Sequence, residues 1–178
     1  MMRNGLPGFD DWQNHGPTGF TLFRFAIPHL MNFNGMAIYL DCDMLVLEPI
    51  EELATFFRPG HWCQHSDIQG DCVSVIDCAA LRSIPSWPTI DELKSGSLRK
   101  WDVRKLLAPI ISRTVPDEWN SMDKWHENIK LLHFTSLDTQ PWHPVPGYNY
   151  KAHPDQKAER LWHAWRLLYE AYRQPGAE

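Results

Sequence analysis

Several kinds of segment are missing from this sequence, and each absence removes a class of protein. No apolar run approaches the roughly 20 residues that a bilayer span requires, and stretches such as Met36 to Leu40 are far shorter. The N-terminus lacks a basic and then hydrophobic leader pattern, so a soluble cytoplasmic protein is expected. Lysine and arginine occur singly rather than in clusters, in a chain with a formal net charge of -5. That pattern offers no electrostatic footprint for nucleic acid and no polybasic membrane patch. The four cysteines, Cys42, Cys63, Cys72 and Cys78, are too few for a disulfide scaffold and have no C-x-x-C spacing, so buried, reduced thiols are expected. Cys63 lies between His61 and His65, but the segment has no helical pattern to bring both imidazoles to one face for zinc, and it reads as ordinary loop. Repeats and low-complexity tracts are absent as well.

What remains suits one globular domain: 178 residues, 43% hydrophobic and 22% charged, are enough to bury a real core. Met1 to Pro17 is rich in Gly, Asn, Asp and Pro without periodicity and reads as an irregular lead-in to a single domain over residues 18–178. Phe20, Phe23, Ile27 and Leu30 recur at helical spacing and predict a helix between Thr18 and Phe33, kinked or interrupted by Pro28. Met36 to Leu40, bounded by Gly35 and two aspartates, reads as a buried strand. Apolar character continues over Met44 to Leu47, and Pro49 with Glu51 and Glu52 suits the first turn of a helix ending near Phe57.

Asp71 to Leu81, with Val73, Val75 and Ile76, is a second strand candidate, and Ser83 to Gly96 reads as loop. Helical spacing resumes between Lys100 and Ile111, and Lys130 to Phe134 is a third strand candidate. Leu161, Trp165, Leu168 and Tyr172 mark a C-terminal amphipathic helix expected to pack over the core. Short strands alternating with helices indicate an α/β fold, a mixed sheet flanked by helices, in which ligands sit beyond the carboxyl ends of strands. Asp41, Asp43 and His133 fall at such ends.

In an extended chain, side chains alternate, so Asp41 and Asp43 would point to one side and Cys42 to the other. Two carboxylates held that close repel unless a proton or a cation neutralises them, and a hard divalent ion is a common neutraliser. Alone, the triplet also reads as two aspartates that solvate a strand end and cap the next turn.

The words FTLFRFAIP (Phe20 to Pro28), GMAIYLDCDMLV (Gly35 to Val46), PIEEL (Pro49 to Leu53), VPDEWN (Val115 to Asn120) and LLHFTSLDTQPW (Leu131 to Trp142), in that order, resemble the family 8 glycosyltransferases of the GT-A fold. The likeness is to the glycogenin and bacterial galactosyltransferase group. It implies that Asp41, Asp43 and His133 are metal ligands, with Mn²⁺ or Mg²⁺ as the cofactor. It further implies that Arg24, Gln140 and Trp142 contact a nucleotide-sugar donor, a UDP-sugar, and that the sugar passes with retention to a glycan, lipid or protein acceptor.

The resemblance also has departures. Gln140 stands where the family has a lysine on phosphate, Ser136 replaces a glycine, and Asp71, Cys72 and Val73 replace Asn-Ala-Gly. The family's first strand and helix, which hold the nucleotide, have no counterpart in Met1 to Thr18. Two other readings compete: a non-catalytic glycosyltransferase remnant, and a haloacid-dehalogenase-like phosphohydrolase. In the latter Asp41 would be the nucleophile and the acidic pair Asp91 and Glu92 would have to converge on it.

Overall fold

The structure, a computed structural model, describes residues 21–66, 70–143 and 145–173; the expected lead-in and Phe20 lie outside the described residues. The fold is mixed α/β with two mixed sheets. The first sheet has the order β1 (Met36–Leu40), β4 (Val73–Asp77), β3 (Trp62–His65) and β5 (Ile111–Val115). The first three strands pair antiparallel, whereas β3 and β5 run parallel. The second sheet places β7 (Leu131–His133) between β2 (Met44–Val46), antiparallel to it, and β6 (Ser121–Met122), parallel to it.

Side-chain alternation along these strands divides the core. Trp62 and Ile76 point to one face of the first sheet, where they pack with Leu22, Phe25, Leu93 and Leu107. Cys63, Val73 and Val75 point to the other face, where they pack with Leu53, Val115 and Trp119 and with Leu131 from the second sheet. Leu132, the next residue along β7, points away from Leu131 and joins Phe134, Ile129 and Ala158 in a third cluster. Each large side chain so buried contributes roughly 1.5–3 kcal/mol, and β7, apolar on both faces, joins two of the three clusters.

Several local expectations are corrected. The described part of the first predicted helix is a 3-10 turn, Phe23–Ala26, followed by a single turn, α1 (Ile27–Leu30). Pro28 lies within the first turn of α1, where a missing N–H removes no intrahelical bond, so it does not interrupt the helix. The segment after Pro49 is also 3-10, Ile50–Phe56. The predicted loop over Ser83 to Gly96 contains α2 (Ile90–Lys94), and its signal is a capping box: Thr89 Oγ1 accepts from the Glu92 N–H while Glu92 accepts from the Thr89 N–H. The helix predicted from Lys100 is α3 (Lys100–Leu107); Pro109 lies in a 3-10 turn, and Ile111 opens β5 instead of closing the helix. His61 to His65 is not loop, because Trp62–His65 is the buried strand β3.

The terminal helix is α4 (Gln156–Tyr172), started by Asp155, whose carboxylate accepts from the N–H groups of Lys157 and Ala158. Its contact face is Ala158, Leu161 and Trp162. The more distal stripe expected to pack is open to solvent, with Trp165, Leu168 and Tyr172 at 43%, 64% and 79% exposure. Among the described residues no helix is long and apolar enough to cross a membrane.

Candidate metal centre

Strand register determines which residues meet at the junction of the two sheets. Leu40 pairs with Val73, so the residue after β1 adjoins the residue before β4, and the Asp41 N–H donates to the Cys72 carbonyl at 3.0 Å. Met44 pairs with His133, so the residue before β2 adjoins the end of β7, and the Phe134 N–H donates to the Asp43 carbonyl at 2.9 Å. Asp41, Cys72, Asp43 and His133 thereby converge from four strand ends.

The extended geometry expected for the acidic pair is not what forms. β1 ends at Leu40, and Cys42 and Asp43 form a turn, so the alternation rule does not apply there. The two carboxylates have separate partners. Arg24 Nη2 donates to Asp41 at 2.9 and 3.3 Å, and the Tyr39 hydroxyl donates to Asp41 Oδ1 at 2.5 Å. Asp43 Oδ1 lies 3.2 Å from His133 Nε2, and Gln140 Nε2 is 3.5 Å from Asp43 Oδ2. His133 is common to both sides, because one ligand atom each from Asp41, Cys72 and His133 lie within 4.8 Å of one another.

Two features suit this cluster to a cation. His133 Nδ1 is 2.9 Å from Asn120 Oδ1, and both side chains are buried. An amide oxygen only accepts, so Nδ1 carries a proton, which leaves Nε2 as the ring atom able to bind a cation. Asp43 Oδ1 is itself buried and has no hydrogen bond, His133 included. A buried carboxylate oxygen 3.2 Å from an imidazole nitrogen and without a hydrogen bond is unfavourable unless positive charge lies near it.

Behind the carboxylates sits a buried ionic network. Arg24 Nη1 is 3.2 Å from Asp71 Oδ2, and Asp71, at 0% exposure, also meets Lys100 at 3.1 Å and Arg104 at 3.4 Å. Burial opposes the charge on Arg24, but Tyr39, Asp41 and Asp71 outweigh it and hold the guanidinium protonated more firmly than usual. Burial pushes the Tyr39 hydroxyl well above its ordinary range, with the Asp41 charge adding to the effect. Burial, then the Asp41 charge, pushes the Cys72 thiol up to about 12.

A cleft of about 220 Å³ opens beside Asp43, lined by Cys42, Asp43, Met44, Phe134, Trp142 and Trp162. Trp142 packs edge-on to Phe134 at 5.6 Å and tilts against Trp162 at 5.9 Å, so it is both wall and core. Gln140 is buried, and its amide donates to the Phe134 carbonyl at 3.0 Å as well as facing Asp43. Of the six residues singled out in the sequence, Arg24, Asp41, Asp43, His133, Gln140 and Trp142 all lie around this junction.

Sequence reasoning missed Tyr39, Cys72, Asp71, Asn120 and Trp162. Tyr39 had a usable signal, since it lies two residues before Asp41 along a strand edge. Cys72 and Asn120 had a signal only through the family-like words, Cys72 where the family has Asn-Ala-Gly and Asn120 at the end of VPDEWN, because their approach to the junction follows from long-range register. The remaining candidates do not assemble: His61 Nδ1 contacts the Pro59 carbonyl, His65 Nε2 contacts Asp117, and Glu92 is engaged by Thr89 at the start of α2.

No protein-family model matches the chain. Protein CDI of Arabidopsis thaliana is 25% identical over 145 residues, which cover 78% of this chain and 53% of that protein. The chain thus spans about half the length of this curated relative.

Proposed function

We propose that this chain carries the cation-binding and acceptor-side part of a glycosyltransferase that moves a sugar from a nucleotide-sugar donor to an acceptor hydroxyl, with retention. One observation carries the reading: His133, buried and hydrogen-bonded through Nδ1 to Asn120, has Nε2 3.2 Å from a buried Asp43 oxygen that lacks a hydrogen bond, and shares a compact donor group with Asp41 and Cys72. The sequence words that resemble family 8 would put Mn²⁺ or Mg²⁺ on Asp41, Asp43 and His133 and supply the substrate class; the compact donor group at the junction is Asp41, Cys72 and His133, and Asp43 meets it through His133. The ion would act as a Lewis acid toward the donor diphosphate, stabilising charge on the departing group.

The residues have distinct roles in this proposal. Arg24 holds Asp41 in place and offsets its charge, Gln140 orients Asp43, and Trp142 with Trp162 walls off water on one side. A cleft of about 220 Å³ is smaller than the roughly 300–1,000 Å³ of typical ligand sites, so it suits the diphosphate-sugar portion, with the nucleotide and the glycan, lipid or protein acceptor held by other surfaces. A cytoplasmic location is part of the reading, supported by four free cysteines, three of them buried.

Titration calorimetry of the chain with UDP-sugars and Mn²⁺ tests this function. Cation-dependent binding that is lost in Asp43→Ala is expected. A folded chain that binds neither the ion nor the nucleotide-sugar would instead be the non-catalytic remnant.

A further inference from the structure

We infer that Cys72 is a ligand of the same cation, so that Asp41, Cys72 and His133 form an oxygen, sulfur and nitrogen set that takes Zn²⁺ or Co²⁺ in preference to Mg²⁺. The inference rests on the reading of this junction as a cation centre and goes beyond it by naming a fourth donor and the class of ion.

Geometry is the first support. Atoms bound to one tetrahedral ion at about 2.0–2.3 Å sit roughly 3.5 Å apart, and the three donor atoms here already lie within 4.8 Å of one another. Cys72 is held close by its backbone, because its carbonyl accepts from the Asp41 N–H at the β1–β4 edge. The other thiols lack this setting: Cys63 and Cys78 belong to apolar clusters, and Cys42 is exposed.

Competition for Asp41 is the second. That carboxylate already accepts from Arg24 through both oxygens and from Tyr39, so it is a poorer electron donor to an ion than a free aspartate. Sulfur and imidazole nitrogen are then the strongest remaining donors between the sheets, and softer donors favour Zn²⁺ and Co²⁺ over Mg²⁺. Binding forms a metal–sulfur bond and breaks the S–H bond, and the proton leaves to solvent, so ion uptake releases one proton from Cys72. Burial and the Asp41 charge keep the thiol protonated without an ion, and Arg24 Nη1, 3.9 Å from the Cys72 sulfur, offsets them only in part, so the bound ion itself must displace the proton.

Co²⁺ titration of the full chain, followed by absorption and calorimetry, separates the possibilities. A near-ultraviolet sulfur-to-Co²⁺ charge-transfer band is expected. It should vanish in Cys72→Ser, persist in Cys42→Ser, and resist a large excess of Mg²⁺; Zn²⁺ affinity should fall roughly tenfold or more in Cys72→Ser. Co²⁺ binding without the band, or a band that depends on Cys42, overturns the role of Cys72 and leaves the cation centre standing. Failure of the folded wild-type chain to bind Co²⁺, Zn²⁺ or Mn²⁺ overturns both.

Discussion

Asp41 and Asp43 are two residues apart, yet they belong to different halves of the molecule. Asp41 faces the first sheet, where Arg24 ties it to the fully buried Asp71 and the positive charges of Lys100 and Arg104 gather behind. Asp43 faces the second sheet, where a histidine and an amide approach it and a cleft opens beside it. The difference separates two uses of a buried carboxylate. On the first-sheet side each charge has opposite charges in contact, so the interactions hold the junction together. Each side has a buried carboxylate oxygen without a hydrogen bond, Asp71 Oδ2 and Asp43 Oδ1, but the first has the Arg24 guanidinium at 3.2 Å whereas the second has only the His133 imidazole at that distance, which leaves it open to a cation.

Arg24→Met breaks the comparison most severely. It leaves Asp41 without its guanidinium partner and removes one of three cations from Asp71, in a site with little access to water. A loss of about 3–5 kcal/mol in urea-unfolding free energy is expected, the usual result of removing one member of a buried ion pair. A loss below about 1 kcal/mol would mean that the network contributes little to stability.

Asn120→Ala sharpens the other side. Without the Asn120 oxygen, the proton on the His133 ring is free to move to Nε2, where it occupies the lone pair that faces Asp43. Cation affinity should fall about 10–100-fold, as for other partners that orient a metal-binding histidine. Calorimetry with Mn²⁺ and Zn²⁺ reads this directly, and unchanged affinity would show that the tautomer is not controlled by Asn120. Asp43→Ala should remove cation binding while changing unfolding free energy by less than about 1 kcal/mol, the reverse of the Arg24→Met pattern.

The two halves also differ in how much the sequence disclosed. Met36 to Leu40 and the Val73 to Ile76 run were legible as strands because apolar residues between turn signals mark strands whatever their partners, although Met36 to Leu40 is an edge strand, at most half-buried, and not the buried strand expected. The acidic triplet and His133 were legible as a set only through the ordered family-like words; their approach depends on two antiparallel registers that no local pattern records. Strand β5 was hidden because Ile111 extends the helical spacing of α3, and only Pro109 marks the change. Helix α2 was hidden by its neighbouring prolines, although Thr89 and Glu92 have capping-box spacing. The distal stripe of α4 was read as core because periodicity shows a face without showing what covers it.

Asp155 tests whether the cleft depends on how α4 is seated. Its carboxylate accepts from the Trp125, Lys157 and Ala158 N–H groups, joining the start of α4 to the loop before β7. Burial pushes this carboxyl up, but those three bonds more than offset it and hold it below the ordinary aspartate range. A depressed folded-state value means that the stabilisation is complete above the unfolded value near 4 and is lost as pH falls through the folded one. Asp155→Ala should therefore cost about 1–2 kcal/mol at neutral pH, with the difference from wild type shrinking below about pH 4. Acid-unfolding curves of the two proteins that stay parallel to low pH would contradict this.

Thr89→Ala is the smallest perturbation and isolates the first-sheet side. It removes the side-chain acceptor that starts α2, whose Leu93 packs against Phe25 and Trp62 in the first cluster. A loss of about 1 kcal/mol is expected from a missing cap. Because α2 has no residue at the junction, the Mn²⁺ and Zn²⁺ affinities should be those of the wild type. If this distant loss of stability also weakens ion binding, the two halves are coupled through the core, and the separate roles assigned to Asp41 and Asp43 become one.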